Sequence, residues 1–334
     1  MPARLLVLLL ACVLPVATLA DKRPTLNVYT HPSFASEWGP GPAVKTAFEA
    51  HCNCTLNYVV LDSGGDILQR LRLEGEHSKA DVVLGLDTGT MEAARQTGLL
   101  APHDIPLRGL ALPVDWSDDL FVPYDWGYFA FVYDTEQLPQ PPASFEDLLA
   151  APEDLKIIIQ DPRTSTPGLG LLLWMRHIYG DQAAEKWAQL NKRILATTKS
   201  WSDGYFSLFM NGEAPMILSY STSPAYHMAI DKTDRYQAAA FREGHYLQVE
   251  VAARVRSSGQ PELARTFLQF ILTRDFQRHI PLRNVMYPVI ELGEELPEVF
   301  SRLIKPTETR YFEPATVAEH RRAWLDEWLD AMTR

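Results

Sequence analysis

The chain of 334 residues is 46% hydrophobic and 22% charged, with 31 Lys and Arg against 42 Asp and Glu and a formal net charge of −11. That length accommodates about two domains with substantial cores. The acidic balance speaks against nucleic acid or an anionic membrane surface as partner, but not against a small anionic ligand, which answers to local charge.

Residues 1–20, MPARLLVLLLACVLPVATLA, carry Arg4, then an apolar run, then Thr18-Leu19-Ala20. This is the pattern of a secretory signal, and Pro15 with the short run speaks against a permanent span. Leu9-Leu10-Ala11-Cys12 leaves a lipoprotein cleavage site as an alternative. The only charge in the segment is Arg4, so its removal takes −11 to −12. The mature chain is expected in the periplasm, exported and soluble.

TLNVY (Thr25–Tyr29) reads as a strand and PAVKTAFEA (Pro42–Ala50) as a helix with Val44, Ala47 and Phe48 on one face. TLNYVVL (Thr55–Leu61) is a second strand. DILQRLRLE (Asp66–Glu74) is a helix that turns Ile67, Leu68 and Leu71 inward and closes at Gly75. ADVVLG (Ala80–Gly85) is a third, nearly continuous apolar strand. Strands alternating with helices imply a parallel sheet covered on both faces. PYDWGYFAFVYD (Pro123–Asp134) is an aromatic extended stretch. Ser144 and Asp147 read as a capping box for SFEDLLA. KIIIQ (Lys156–Gln160), MILS (Met216–Ser219) and YLQVEVAARV (Tyr246–Val255) read as strands. PELARTFLQFIL (Pro261–Leu272) is amphipathic, with Ala264, Phe267, Leu268 and Ile271 inward. The C-terminal helix aligns Trp324, Trp328 and Met332.

This order suggests two α/β lobes, the second inserted in the first: lobe 1 from 21–122 and 247–334, including the C-terminal helices, and lobe 2 from 123–246. Extended strands at the joins, near Val122–Pro123 and Tyr246, would let the lobes hinge about a ligand cleft.

Ligands of open α/β sheets sit at the carboxyl ends of strands. The first strand leads to His31, Ser33 and Trp38, the second to Asp62 and Ser63, the third to Asp87. The second half offers Trp201, Tyr205, Tyr220 and Tyr226. Aromatic faces with a carboxylate suit a flat or cationic organic ligand. Trp324 and Trp328 read as core because they share a helix stripe, whereas Trp38 and Trp201 stand in Gly/Ser/Pro-rich loops and read as ligand wall. In QDPRTSTPGLGLLLW (Gln160–Trp174), Thr166 before Pro167 reads as an N-cap. Ser165, Thr166 and the glycines of the first turn read equally well as an anion site, since a helix start has unpaired N–H groups and a positive dipole end.

Catalysis has little support, and no enzyme is expected. The histidines lack zinc spacing, and there is no G-x-S-x-G elbow. Cys52 and Cys54 in HCNCTL are open to a local disulfide, two free buried thiols, or a metal site that would need further ligands.

The segments FASEWGPGP, AFEAHCNC, KADVVLGLD, YFAFVYD, QDPRTSTPGLGLLLWM, SPAYH, EGHYLQVEVAAR and SGQPELARTFLQF cover nearly all of the mature chain in order. In them the chain resembles the periplasmic thiamine-binding proteins that serve ABC importers. The resemblance implies the two-lobe periplasmic-binding-protein fold of the second type, shared with ferric-ion binders and thiaminase I. It implies a monomer that carries thiamine, thiamine monophosphate or thiamine diphosphate to an inner-membrane ABC permease. It implies that Trp38, Trp201, Tyr220 and Tyr226 line the cleft and that Ser165 and Thr166 hold the phosphate. The chain departs from the family pattern at His31, where the family has tyrosine, at Val285, where it has tryptophan, and at Asp62-Ser63-Gly64, where it has Glu-Asp-Gly; here Asp62 would supply the carboxylate. Other ligands for the same fold are another cationic heterocycle, or ferric iron on Tyr220, Tyr226 and His31. A thiaminase-like enzyme would need a free thiol in the cleft.

Overall fold

The computed structural model describes residues 23–333, so the segment 1–20 and the Cys12 alternative lie outside the described residues. Three apolar strands open the fold. β1 (Thr25–Thr30), β2 (Thr55–Val60) and β3 (Val82–Asp87) run parallel with β1 in the middle. The crossovers are α1 (Gly41–Cys52) and α2 (Gly64–Glu74). Every residue of β3 is buried, as expected of a parallel strand covered on both faces. The strand feeds two cores: Val82 and Leu84 join Phe34, Phe48 and Phe267 on one face, while Val83 and, past a register shift at Gly85, Leu86 join Ile67, Leu68 and Leu71 on the other. Each of these large side chains contributes roughly 1.5–3 kcal/mol by leaving water.

The short helix α3 (Met91–Arg95) follows, then the long strand β4 (Phe121–Asp134). The second lobe contains α4 (Phe145–Ala150), β5 (Ile157–Gln160), α5 (Thr166–Tyr179), α6 (Ala183–Asn191), β6 (Ile194–Thr198), β7 (Met216–Tyr220) and β8 (Tyr236–Ala238). Ser144 caps α4 by accepting from the Asp147 N–H at 2.9 Å. β9 (His245–Val255) and α7 (Pro261–Ile271) return the chain to the first lobe. One sheet runs through both lobes in the order β2-β1-β3-β9-β4-β7-β5-β6. Its two ends are parallel, and its middle, where β9 and β4 cross between lobes, is antiparallel.

Two sequence expectations shift. The division between lobes falls inside β4 rather than at its start: Phe121–Tyr128 pair with β9, and Phe129–Tyr133 pair with β7. A strand long enough to serve both halves hides its own boundary. The C-terminal helix α8 (Pro314–Met332) does not join the first lobe's core. Its Val317, Trp324 and Trp328 pack with Trp174 and Trp187 in the second lobe. An apolar stripe shows that a helix is buried, not against what.

Cys52 and Cys54 are bonded to each other at the end of α1, with Asn53 between them in the left-handed region (φ 51°). No helix of the described residues is long and apolar enough to cross a membrane.

Candidate functional site

The carboxyl ends of the parallel strands converge on a cavity of about 440 Å³ between the lobes. The first lobe contributes His31, Ser33 and Trp38 after β1 and Asp62, Ser63 and Gly64 after β2. The second contributes Thr164, Ser165 and Thr166 after β5, Lys199 to Asp203 after β6, and Tyr220 at the end of β7. Glu250 of β9 and the loop Asn284–Met286 form the floor.

Two helices begin at this cavity. Ser63 caps α2, accepting from the Asp66 N–H at 3.1 Å and donating to Asp66 Oδ2 at 2.7 Å. Gly64 follows it because a Cβ there would stand 2.4 Å from the Gly85 carbonyl oxygen. Across the cleft the N-cap of α5 is Ser165, not Thr166: Ser165 is extended (φ −124°, ψ 134°) and Thr166 is already helical. The Ser165 hydroxyl makes no capping bond, although the residue is buried and lines the cavity. The glycines of this turn serve packing instead of baring the helix start. A Cβ on Gly168 would lie 2.5 Å from the Gln160 carbonyl oxygen, and one on Gly170 would lie 2.0 Å from the Phe129 ring.

Thr166 lines the cavity but donates its hydroxyl to Asp87 Oδ2 at 2.8 Å. Asp87 therefore sits behind the wall and does not line the cavity. It also accepts from Thr90 Oγ1 at 3.0 Å and the Gly89 N–H at 2.9 Å, and burial raises its carboxyl above the usual range. Tyr226 is likewise misplaced by the sequence reading. The helical turn Ser223–Tyr226 leaves Ser223 at the cavity and carries Tyr226 away, partly exposed and edge-on to His227.

The other expected aromatics meet at the cavity. Trp201 stacks on Tyr205 with ring centroids 4.8 Å apart and donates Nε1–H to Ser219 Oγ at 2.8 Å. Trp38, half exposed on the opposite lobe, reaches the edge of Phe206, which contacts Trp201 in turn. Tyr220 lies against Phe129. Asp62 does not face the interior: exposed at the mouth, it meets Lys199 of the other lobe at 3.2 Å.

The floor is what the sequence reading missed. β4 and β9 put Asp125 opposite Glu250 in register. Glu250 Oε2 accepts from Tyr124 Oη at 2.6 Å and Asn284 Nδ2 at 3.3 Å, and Oε1 accepts from Gln248 Nε2 at 3.2 Å. Asn284 also donates to Asp125. His31 Nε2 stands 3.8 Å from Glu250 Oε1 and 3.4 Å from Tyr124 Oη. Burial and the charge of Glu250 push the Asp125 carboxyl well above the usual range, against the pull of Asn284. Val285 holds a left-handed conformation (φ 55°), costly for a β-branched residue, as it closes the turn Ile280–Arg283 that sets Asn284 over the carboxylates. The run VEVAA carries no motif; only its place on a crossing strand brings Glu250 to the cleft.

No group of three His, Cys, Asp or Glu side chains among the described residues is arranged to hold a metal ion.

A model of the bacterial extracellular solute-binding proteins matches residues 77–310. A thiamine-binding periplasmic protein of Escherichia coli K12 is 53% identical over 327 residues, which covers 98% of each chain. Another, of Brucella suis, is 48% identical over 330 residues, covering 99% of this chain and 98% of its own. Among solved structures, a periplasmic thiamin binding protein superposes with a TM-score of 0.91 at 53% identity, covering 94% of this chain and 98% of that one.

Proposed function

The chain belongs to the bacterial extracellular solute-binding proteins, among the periplasmic thiamine binders, and from that membership we propose how its cleft works. The protein captures thiamine in the periplasm and delivers it to an ABC permease of the inner membrane. The phosphate esters, thiamine monophosphate and thiamine diphosphate, enter the same cleft, and the protein acts as a monomer.

The observation that carries the phosphate reading is the convergence of two helix starts, α2 and α5, on one cavity. Each has a positive dipole end, which favours an anion, and that of α5 is free of acidic residues, whereas the first turn of α2 already carries the Asp66 carboxylate. Ser165 adds a hydroxyl with no capping bond. Thr166 acts from behind, since its proton goes to Asp87 and ties α5 to the first lobe. The thiazolium, a fixed cation without N–H donors, lies against the faces of Trp38, Trp201 and Tyr220. Closure turns about β4 and β9, whose pairing spans the lobes.

Two other readings lose support. An iron site on Tyr220 and Tyr226 lacks Tyr226 at the cavity. A thiaminase-like mechanism needs a cysteine nucleophile, and Cys52 and Cys54 are bonded to each other.

Titration calorimetry on refolded, ligand-stripped protein tests this. Thiamine and its monophosphate are expected to bind at submicromolar concentration. Ser165→Ala should weaken the esters by about 10-fold or more while changing thiamine less than about 2-fold, since bonds to charged groups contribute about 1.5–3 kcal/mol. No binding of any vitamer would remove thiamine as ligand. Equal weakening of all of them would remove the anion cradle.

A further inference from the structure

We propose that Glu250 and His31 form the edge that reads the ligand's aminopyrimidine: Glu250 Oε1 accepts from the exocyclic amino group, and His31 Nε2–H donates to the neighbouring ring nitrogen. This rests on thiamine being the ligand.

Glu250 is only 9% exposed, yet it lines the cavity. A buried carboxylate needs donors for both oxygens, and each oxygen takes about two. Oε2 has Tyr124 and Asn284, whereas Oε1 has Gln248 alone at hydrogen-bond distance. Asp125, opposite Glu250 in register, also shares a hydrogen bond with it, so at most one acceptor position on Oε1 is left for a ligand.

The role of His31 follows from Tyr124. The one phenolic proton of Tyr124 goes to Glu250 at 2.6 Å. Nε2 of His31, facing the same phenolic oxygen at 3.4 Å, can only donate there. The bond to Tyr124 is long, so a ligand nitrogen can share the Nε2–H or take it over, and the floor presents this donor beside an acceptor 3.8 Å away. That spacing is long for a strong ion pair but short enough to meet two neighbouring atoms of one heterocycle edge. The His31 ring takes this seat because residue 85 is glycine: a Cβ there would lie 2.3 Å from His31 Cδ2.

Charge orients the ligand. The starts of α2 and α5 supply backbone donors for the anionic end, beside Lys199, whereas the buried Glu250 offers it only a negative charge. In a thiamine phosphate the thiazolium comes next and the pyrimidine last, which brings the pyrimidine to the floor. The thiazolium has no N–H to offer a directed carboxylate, whereas the amino group has. Tyr124, Gln248 and Asn284 hold Glu250 in place, so its preference is directional rather than merely electrostatic.

The test compares thiamine with its 4-oxo analogue, in which a carbonyl replaces the amino group and the neighbouring ring nitrogen carries hydrogen. Donor and acceptor are exchanged, and both floor groups lose their partners. The wild-type protein is expected to prefer thiamine by about 100-fold or more, the scale on which a site built for a hydrogen bond rejects an analogue lacking it. Glu250→Gln, whose amide can turn either way, should reduce that preference below about 10-fold, while the ratio of monophosphate to thiamine affinity holds or rises, since a negative charge facing the cavity is gone. Equal wild-type affinity for thiamine and the oxo analogue would overturn the proposal without recourse to any variant. So would a full preference retained by Glu250→Gln. Failure of the wild-type protein to bind thiamine at all would instead remove the parent reading, and this one with it.

Discussion

The two ends of the cavity recognise a ligand by opposite means. At the helix starts of α2 and α5 the positive potential comes from backbone N–H groups, and the side chains involved are the hydroxyls of Ser63 and Ser165 and the Asp66 carboxylate that Ser63 bonds. At the floor a negative carboxylate is buried beside a second carboxyl and held by Tyr124, Asn284 and Gln248. The first kind of end is fixed by how helices pack, so it is rigid and indifferent to the identity of the anion's carrier. The second depends on long-range side-chain bonds and can distinguish one ring edge from another. Affinity for a phosphate and selectivity for a heterocycle are thus located in different parts of the fold and should respond to different perturbations.

The largest effect should come from moving α5 without touching the ligand. In Gly170→Ala the new Cβ would stand 2.0 Å from the Phe129 ring, and that ring is buried and packed by Tyr220. Overpacking usually costs about 1–3 kcal/mol, and so severe an overlap with a fixed ring belongs at or above the upper end. Urea unfolding should show a loss of about 3 kcal/mol or more. Affinity for the monophosphate should fall with it, while the preference for thiamine over its 4-oxo analogue holds. A loss below about 1 kcal/mol would mean that α5 can slide over β4 and that the helix start is not rigid.

The next effect tests the junction between the ends. His245 lies fully buried where β9 leaves the second lobe. Its Nδ1 faces the Phe129 carbonyl oxygen at 2.8 Å, and Nε2 accepts from the Phe241 N–H at 3.1 Å, so Nδ1 carries the proton of a neutral ring. Burial lowers its pKa from 6.5 to about 4. The unfolded chain then takes up a proton that the folded chain refuses. Stability is fully present above pH 6.5, falls as the pH drops towards 4, and levels off below that. The shift corresponds to about 3 kcal/mol at one pKa unit per 1.36 kcal/mol. His245→Gln should be less stable at pH 7 but should lack this part of the slope. Parallel curves for the two proteins between pH 7 and 4 would show that His245 does not couple the strands in this way.

What could be read from the sequence divides along the same line. Caps and helix starts are local, so Thr164, Ser165 and Thr166 stand out as a run of hydroxyls before apolar periodicity, with the identity of the α5 cap displaced by one residue, while Ser63 is legible as a strand-end residue and not as the cap of α2. Loops rich in Gly, Ser and Pro pointed to Trp38 and Trp201 for the same reason. Tyr124, Glu250 and Asn284 come from two crossing strands and a strained turn, and nothing within a few residues of any of them reports the other two. The errors have the same origin. Asp87 and Tyr226 follow strands and so read as cleft residues, but a hydrogen bond to Thr166 holds one behind the wall, and one turn of helix carries the other away.

The smallest effect should be at the mouth. Lys199 and Asp62 join the lobes at 3.2 Å, but their side chains are 67% and 74% exposed. In that setting water and salt screen the pair, and ordering two flexible side chains offsets most of the attraction, so exposed pairs contribute about 0.2–1 kcal/mol. Lys199→Ala should therefore weaken monophosphate binding less than about 3-fold at low salt, by loss of a diffuse positive charge, and still less at high salt. Binding of unphosphorylated thiamine should hardly change. A loss of about 10-fold or more that persists at high salt would require Lys199 to leave Asp62 and meet the phosphate inside the closed cleft. The anion would then be held by a side-chain charge, and the two ends of the cavity would no longer differ in kind.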